Sequence, residues 1–170
     1  MSGYEIREAR PGDASALVEL ARAVSGEPGD SLLATDGWRS ASAERRYLRA
    51  VRRSGHAAVF VAEVSEGLVG RLSVSRDPHP ASRHVADLGL MVAAGYRRRG
   101  IGRALLEAAA GWARRHGVSK LELHVFPHNE PAIRLYEAFG FVQEGYRRRH
   151  YRRGEEYLDA ILMAFATLPE

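Results

Sequence analysis

The sequence predicts a single α/β domain in which helices cover both faces of a mixed, largely antiparallel sheet. Three observations support this prediction. Short segments of alternating apolar and polar residues occur near both ends and in the middle of the chain, as in strands. Segments with helical periodicity separate them. The 170 residues contain no repeat, low-complexity tract or linker, so we expect residues 1–170 to form one domain.

The N-terminal half is predicted to contain one strand, two helices and then three strands. Tyr4 to Arg10 alternates as a strand would, and Asp13 is placed to cap the helix that follows. Ser25 to Gly37 is rich in Gly, Pro, Ser and Asp, which predicts a loop. The second helix and the three strands are predicted at Ser40 to Arg53, Ala57 to Val64, Leu68 to Val74 and His84 to Val92.

The C-terminal half is predicted to alternate helix, strand, helix and then two strands. Gly140 suits the position just after the shorter helix, and the final strands are expected to form a hairpin around Arg152-Arg153-Gly154. The predicted elements are Ile101 to His116, Leu121 to Phe126, Glu130 to Phe139, Phe141 to Arg149 and Glu156 to Phe165.

Composition excludes several kinds of site. The chain has no cysteine, so disulfides, thiolate metal ligands and a cysteine nucleophile are excluded. No apolar run approaches the roughly 20 residues of a membrane span, and the N-terminus lacks a signal-peptide pattern, so we expect a cytoplasmic protein without membrane contact. His124 and His128 are four residues apart, but Pro127 lies between them, and we expect no metal.

Positive charge comes almost entirely from arginine. The net charge is +4, and Lys120 is the only lysine. Arginine fits phosphate oxygens well, so the bias indicates either a solvated surface or an anionic ligand. The run from Arg147 to Arg153 is dense enough to suggest nucleic acid, but it has few aromatic residues, and we expect no nucleic-acid partner. A solvated hairpin, a dimer contact and a site for an acidic acceptor remain open.

The most informative segment, RRRGIGRAL, begins at Arg97, follows an apolar strand and opens a helix. First-turn N–H groups have no partner inside a helix and lie at the positive end of its dipole, so they bind anions. Gly100 and Gly102 are expected to allow close approach of a ligand. Neighbouring guanidinium groups add charged donors. The segment therefore predicts a phosphate or pyrophosphate site, formed by Arg97, Arg98, Arg99, Gly100, Ile101, Gly102 and Arg103.

The loop lacks residues that two common kinds of nucleotide-binding loop require. Gly95 and Gly100 have the spacing of a nucleotide-triphosphate loop, but Ile101 and Gly102 replace its lysine and Ser/Thr. A dinucleotide fingerprint needs a third glycine where Leu105 stands.

The pattern Arg/Gln-x-x-Gly-x-Gly/Ala does match, at Arg97, Gly100 and Gly102, and here the chain resembles the GCN5-related N-acetyltransferase (GNAT) family. The resemblance implies the GNAT fold and a loop that holds the pyrophosphate of acetyl-CoA. It also implies that the preceding strand separates from its neighbour, with its backbone facing the pantetheine arm and the thioester oxygen. The residues so implied are Leu90, Met91 and Val92, with the oxyanion held near Met91 and Val92.

A second segment, Asn129 to Phe141, resembles a later motif of the same family. Asn129 is a good N-cap, and a proline is tolerated in the first helical turn. The resemblance implies that Asn129, Ala132 and Tyr136 contact the cofactor, and that Tyr136 protonates the departing thiolate. A phenol of pKa about 10 stays protonated at neutral pH and can serve this role. The alternative is an ordinary core tyrosine.

Amine transfer also needs a base, since an amine is protonated at neutral pH. The candidates are His84, Asp87, Glu122 and His124, and Asp87 is preferred because it lies on the predicted cofactor strand. The alternative is a surface carboxylate paired with an arginine.

A narrower resemblance concerns the acceptor. His84 to Gly89, Gly154 to Ala160 and Met163 resemble bacterial L-amino-acid N-acetyltransferases and, less closely, phosphinothricin-type enzymes. This implies acetyl transfer from acetyl-CoA, without metal, to a small-molecule amine acceptor, the α-amine of an amino acid or analogue. A protein N-terminal or ribosomal-protein acetyltransferase is the alternative, followed by a non-catalytic CoA- or RNA-binding module. The family also makes a homodimer an expectation.

Overall fold

The computed structural model describes residues 3–27 and 38–168, so residues 28–37 of the predicted loop lie outside the described part. The strands are β1 (Glu5–Glu8), β2 (Ala57–Val64), β3 (Gly67–Arg76), β4 (Val85–Val92), β5 (Lys120–Val125), β6 (Val142–Arg153) and β7 (Glu156–Ala166). The helices are α1 (Ala14–Ser25), α2 (Ala41–Ser54), α3 (Ile101–Arg115) and α4 (Glu130–Phe139). The predicted α/β class and element order are confirmed.

The seven strands form one sheet in the order β1-β2-β3-β4-β5-β7-β6. Within it, β4 and β5 run parallel, and the other neighbouring pairs described are antiparallel. No helix in the described ranges combines the length and the apolar character that a membrane crossing requires.

Helices pack on both faces of the sheet. On one face, Leu105 of α3 packs with Leu72 of β3 in a buried cluster. On the other, Leu17 of α1 and Leu48 of α2 pack with Val61 of β2. Alternate side chains of each strand therefore enter opposite cores, which buries the central strands on both sides.

The N-terminus of α1 differs in detail from the prediction. Asp13 stands at the predicted cap position, but its side chain does not bond to the helix. A single 3₁₀ turn precedes α1, and the Asp13 carboxylate accepts the N–H of Arg10 at 2.7 Å and the guanidinium of Arg7 at 2.8 Å. These bonds lower the pKa of Asp13, with the Arg7 side chain as the largest cause.

β6 is longer than predicted, because it continues past Arg149 to Arg153 before a turn at Gly154. Its pairing with β7 shifts register between Arg147 and Tyr151. Arg149 has a left-handed backbone (φ 52°), and its N–H donates to the carboxylate of Asp159 at 2.7 Å. The shift is a bulge, and bulges redirect side chains.

β4 and β5 pair only at their beginnings. The described ladder joins Val85–Asp87 to Lys120–Glu122 and then stops. Beyond it, β4 continues on β3 to Val92, and β5 continues on β7 to Val125. The two strands therefore separate after Asp87, which is the separation that the family resemblance implied.

Candidate active site

A cavity of about 250 Å³ occupies the gap between β4 and β5. From β4 it is lined by Asp87, Gly89 and Met91, and by Leu88 and Leu90. Successive side chains of a strand point to opposite faces, so these two sets lie on opposite sides of the sheet. The cavity is thus lined by residues that belong to both faces of the sheet.

A smaller cavity of about 100 Å³ lies between α2, β2 and the end of α3. Its apolar wall includes Leu48, Val51 and Trp112, which are buried core residues. It is remote from both sequence motifs, so we place the candidate site in the larger cavity.

The unpaired edge of β4 directs backbone groups into the gap. The N–H of Ala93 donates to the carbonyl of Val69 at 2.8 Å, so these two residues form a hydrogen-bonded pair between β4 and β3. Along an antiparallel ladder such pairs alternate with non-hydrogen-bonded pairs, whose N–H groups point away from the partner strand. By this alternation, Leu90 and Val92 direct their N–H groups away from β3, toward the gap. Met91 lies in a hydrogen-bonded pair, and its side chain enters the core under α1 and α2. The N–H groups available to a ligand are therefore those of Leu90 and Val92.

The glycine loop presents backbone donors at the N-terminus of α3. Gly100 has a left-handed backbone (φ 83°), which lets the chain turn directly into the helix. The first intrahelical bond joins the N–H of Ala104 to the carbonyl of Gly100. The preceding N–H groups of the first turn therefore have no partner inside the helix, and such groups fit a pyrophosphate. The exposed side chains around them are Arg98, Arg99 and Arg103.

Arg97 has a different position from its neighbours. Its Nε donates to the carbonyl of Val92 at 2.9 Å, and its Nη2 donates to Glu27 at 2.8 Å. Through these hydrogen bonds, Arg97 links the glycine loop to the end of β4 and to the segment after α1. Arg97 therefore positions the loop, and contact of its guanidinium with a phosphate stays a prediction.

Gly102 lies where α3 and α4 pack closely together. A Cβ at this position would lie 2.7 Å from Cδ2 of Leu135 on α4, closer than carbon atoms can approach. Gly102 thus has a contact between α3 and α4 in addition to the predicted role in ligand approach, which stays a prediction.

Gly102→Ala is expected to lower the free energy of unfolding by about 1–3 kcal/mol, through this overpacking. Gly111→Ala in the same helix is a matched control, since its Cβ would meet only the flexible end of Arg115. That control is expected to stabilise slightly, because glycine is unfavourable inside a helix. Urea unfolding of Gly102→Ala, Leu135→Ala and the double variant measures the coupling. Equal effects of the two glycine substitutions would contradict the packing role.

The second motif places Tyr136 at the cavity. Asn129 caps α4 as predicted, since its Oδ1 accepts the N–H of Ala132 at 3.3 Å, and both Asn129 and Tyr136 line the cavity. Tyr136 is 6% exposed, and its ring lies 5.7 Å from that of Phe141. Burial raises the pKa of Tyr136 above its ordinary value. The phenol is therefore protonated at neutral pH and can act as a proton donor.

Asp87 and His124 face each other across the gap, with Oδ1 of Asp87 3.8 Å from Nδ1 of His124. The Asp87 side chain is 65% exposed on the side that faces the cavity, and protein atoms on its other sides partly bury it. This burial, followed by the charge of Glu122, raises the pKa of Asp87 to about 6, while Arg147 opposes the shift. A carboxylate with that pKa is deprotonated at pH 7 and accepts protons readily.

His124 completes this pair. Burial first, and then the charges of Arg147 and His150, lower the pKa of His124, so the ring is neutral at pH 7. Of the other predicted bases, Glu122 pairs with Lys120 at 3.1 Å, and neither Glu122 nor His84 lines the cavity. The described ranges contain no group of three or more side chains placed to hold a metal ion.

Four residues near the site were not among the predicted site residues. The β6 bulge brings His150 and Tyr151 toward β5, where His150 stacks on His124 with 4.8 Å between ring centroids. Tyr151 lines the cavity, as do Trp38 and Arg71 on its other side. Their placement depends on a register shift and on packing between distant segments. The alternation of Arg71 with apolar residues along its strand was the only available hint.

The sequence pattern of the Acetyltransferase (GNAT) family matches residues 26–141. The chain is 37% identical over 109 residues to the L-amino acid N-acetyltransferase AaaT of Escherichia coli strain K12, a match covering 62% of this chain and 65% of that protein. It is 44% identical over 69 residues to the [ribosomal protein bS18]-alanine N-acetyltransferase of the same strain, covering 41% and 47%. The matched segments thus span less than two thirds of either relative.

Among solved structures, an acetyltransferase of the GNAT family from Streptococcus pneumoniae superposes with a TM-score of 0.86. The sequence identity is 30%, and the superposition covers 96% of this chain and 99% of that one. The structural similarity therefore extends over nearly the whole chain.

Proposed function

The chain belongs to the GNAT acetyltransferase family, and from that premise we propose that it transfers the acetyl group of acetyl-CoA to the amine of a small acceptor. One observation carries this proposal. The gap between β4 and β5 forms a cavity, and Tyr136, Asp87 and His124 all line it. A proton donor and a proton acceptor thus line one cavity, with residues of both sheet faces in its wall.

The chain's own groups fit acetyl-CoA. The first-turn N–H groups of α3 hold the pyrophosphate, and Arg98, Arg99 and Arg103 surround it with positive charge. The N–H groups of Leu90 and Val92 face the pantetheine arm and the thioester oxygen. Asn129 and Ala132 contact the arm from the start of α4. When bound, acetyl-CoA supplies the acetyl group as a thioester.

Proton transfer is assigned to the two sides of the cavity. The acceptor ammonium loses a proton to Asp87, directly or through one water, with His124 beside it. The amine nitrogen then bonds to the acetyl carbon as the carbon–sulfur bond breaks, and Tyr136 gives its phenolic proton to sulfur. The nitrogen loses its second proton to water, which leaves the neutral amide, and proton exchange with solvent restores the Tyr136 phenol and the Asp87 carboxylate. A backbone N–H aimed at the carbonyl oxygen contributes about 3–4 kcal/mol in comparable sites.

A small acceptor is favoured by the aromatic side chains that flank the cavity. Trp38 lies against Arg71 of β3, with the guanidinium carbon 5.1 Å from its ring centroid. Tyr151 lies against Phe126, just beyond β5, with 5.8 Å between ring centroids. Both line the cavity of about 250 Å³, so the acceptor side is narrow.

Release of CoA thiol from acetyl-CoA tests the proposal. The chain has no cysteine, so a thiol-reactive dye reports only liberated CoA. We expect saturable release with free amino acids or their analogues, in a panel that also contains polyamines, aminoglycosides and N-terminal peptides. Release with peptides alone would shift the assignment to a protein-modifying enzyme. Binding of acetyl-CoA without release for any amine would contradict transferase activity.

A further inference from the structure

Two residues that line the cavity each carry a buried nitrogen donor without an acceptor. Arg71 is 5% exposed, and its Nε has no hydrogen-bond partner in the described part of the chain. The same is true of the buried Nε1 of Trp38, and both residues line the cavity. Buried donors are nearly always paired, so two unpaired ones at a cavity wall indicate a missing acceptor.

The charge around these donors is also incomplete. Glu44 of α2 is fully buried and accepts from Nη1 of Arg39 at 2.6 Å and from Nη2 of Arg71 at 3.2 Å. One carboxylate thus serves two guanidinium groups, which leaves the cluster Arg39–Glu44–Arg71 with one net positive charge. The guanidinium of Arg71 lies 5.1 Å from the Trp38 ring, and Arg39 lies 4.4 Å from that of Tyr47. The cluster is therefore held in place, and an anion would complete it.

The strand register places this cluster on the same sheet face as the proposed base. Arg71 pairs with Met91, and Asp87 pairs with Ser75 four residues further along β3. Side chains two residues apart share a face at about 7 Å spacing. Gly89 lies between Asp87 and Met91, where an added Cβ would touch only Oγ of Ser73, at 3.7 Å. The cavity floor is therefore open between the positive cluster and the base.

We propose that Nε of Arg71 and Nε1 of Trp38 bind the carboxylate of the acceptor, which makes the acceptor a free α-amino acid. The inference rests on the proposed acetyltransferase function. An α-amino acid carries its amine and carboxylate on one carbon, so it can lie over Gly89 with its carboxylate toward Arg71 and its amine toward Asp87. A peptide N-terminus and a polyamine have no carboxylate at that position and leave both donors unpaired.

The test compares the best amino acid acceptor of the thiol-release panel with its carboxamide. Arg71→Gln is expected to raise KM for the amino acid about 30-fold, because a charge-assisted hydrogen bond is lost. The KM for the amide and the kcat for both acceptors are expected to change less than threefold. Arg39→Gln neutralises the cluster without removing a cavity donor, so it is expected to raise KM for the amino acid only about threefold, well below the effect of Arg71→Gln.

Trp38→Phe keeps an aromatic ring and removes only Nε1–H, so it tests the same contact if Arg71→Gln fails to fold. It is expected to raise KM for the amino acid about fivefold, and not that for the amide. Equal kcat/KM for acid and amide in the unmodified chain, or parallel losses for both in the variants, would overturn the carboxylate site and leave the transferase proposal standing. Calorimetric binding of amino acids to the CoA-bound chain, dependent on Arg71 but without turnover, would overturn only the transferase proposal.

Discussion

Tyr136→Phe is expected to lower kcat about 100-fold at saturating substrates, because general acid catalysis typically contributes 10²–10⁴-fold. The phenylalanine ring keeps the contact with Phe141, and only the hydroxyl of this cavity-lining residue is lost. KM for acetyl-CoA and the melting temperature are therefore expected to change little. Steady-state kinetics with the thiol-reactive dye, beside thermal unfolding of the same preparation, measures both.

A matched tyrosine gives the control for this experiment. Tyr146 is half-exposed on β6 and donates its hydroxyl to Asp159 at 2.7 Å, outside the cavity. Tyr146→Phe is expected to keep turnover within about twofold, since surface substitutions are usually mild. If Tyr136→Phe also stayed within threefold of the unmodified enzyme, the proton would reach sulfur from another donor, and Tyr136 would be a core residue only.

Asp87→Asn is expected to reduce kcat/KM about 100-fold at pH 7–8, since an amide cannot accept the ammonium proton. The pKa of Asp87 is raised to about 6, so the base is lost by protonation below that pH. Activity of the unmodified enzyme is therefore expected to fall about tenfold per pH unit below pH 6, which forms the acid limb of its pH–rate profile. The profile of Asp87→Asn is expected to lack this acid limb. A pH–rate profile measures both effects.

His124 provides the alternative outcome for the base. Its pKa is lowered, so a limb caused by His124 would lie below the ordinary histidine value of 6.5. If His124→Gln removed the acid limb while Asp87→Asn retained it, His124 would be the base and Asp87 its partner. If each variant shifted the limb without removing it, the pair would titrate as one unit.

Asp87→Asn also has an expected effect on stability, opposite in sign to its effect on activity. The folded-state pKa of about 6 lies above the unfolded value of 3.8, so the fold prefers the protonated carboxyl. The favourable contribution is complete below pH 3.8 and is lost as the pH rises through 6. The substituted amide carries no charge, so the variant is expected to be more stable above pH 6, by about 1 kcal/mol once the open side of the carboxylate is allowed for. Thermal unfolding at pH 4 and pH 8 measures the difference, which is expected only at pH 8.

Local features of the sequence were sufficient to predict the elements that carry the two motifs. Glycine at 100, the apolar face of α3 and the cap at Asn129 act within one helical turn, so their consequences are readable without the rest of the fold. The order of strands and helices followed from periodicity for the same reason. The placement of Tyr136 at the cavity then followed from the family resemblance.

Contacts between distant segments were decided only by the tertiary structure. Gly102 faces Leu135 because α3 crosses α4, and Arg97 bonds to Glu27 from 70 positions away. The meeting of Asp87 with His124 depends on where β4 leaves β5, which the sequences of the two strands do not specify separately.

The acceptor side of the cavity was likewise decided by contacts between distant segments. Arg71, Trp38 and Glu44 come from three segments, and each alone is an ordinary strand, loop or helix residue. The unpaired Nε of Arg71 became visible only when the guanidinium and its shared carboxylate were placed together. Helix caps and glycine turns are set by interactions between near neighbours in the chain, which residue identity encodes directly. A binding pocket is set by register, bulges and helix crossing, which depend on the packing free energy of the whole sheet.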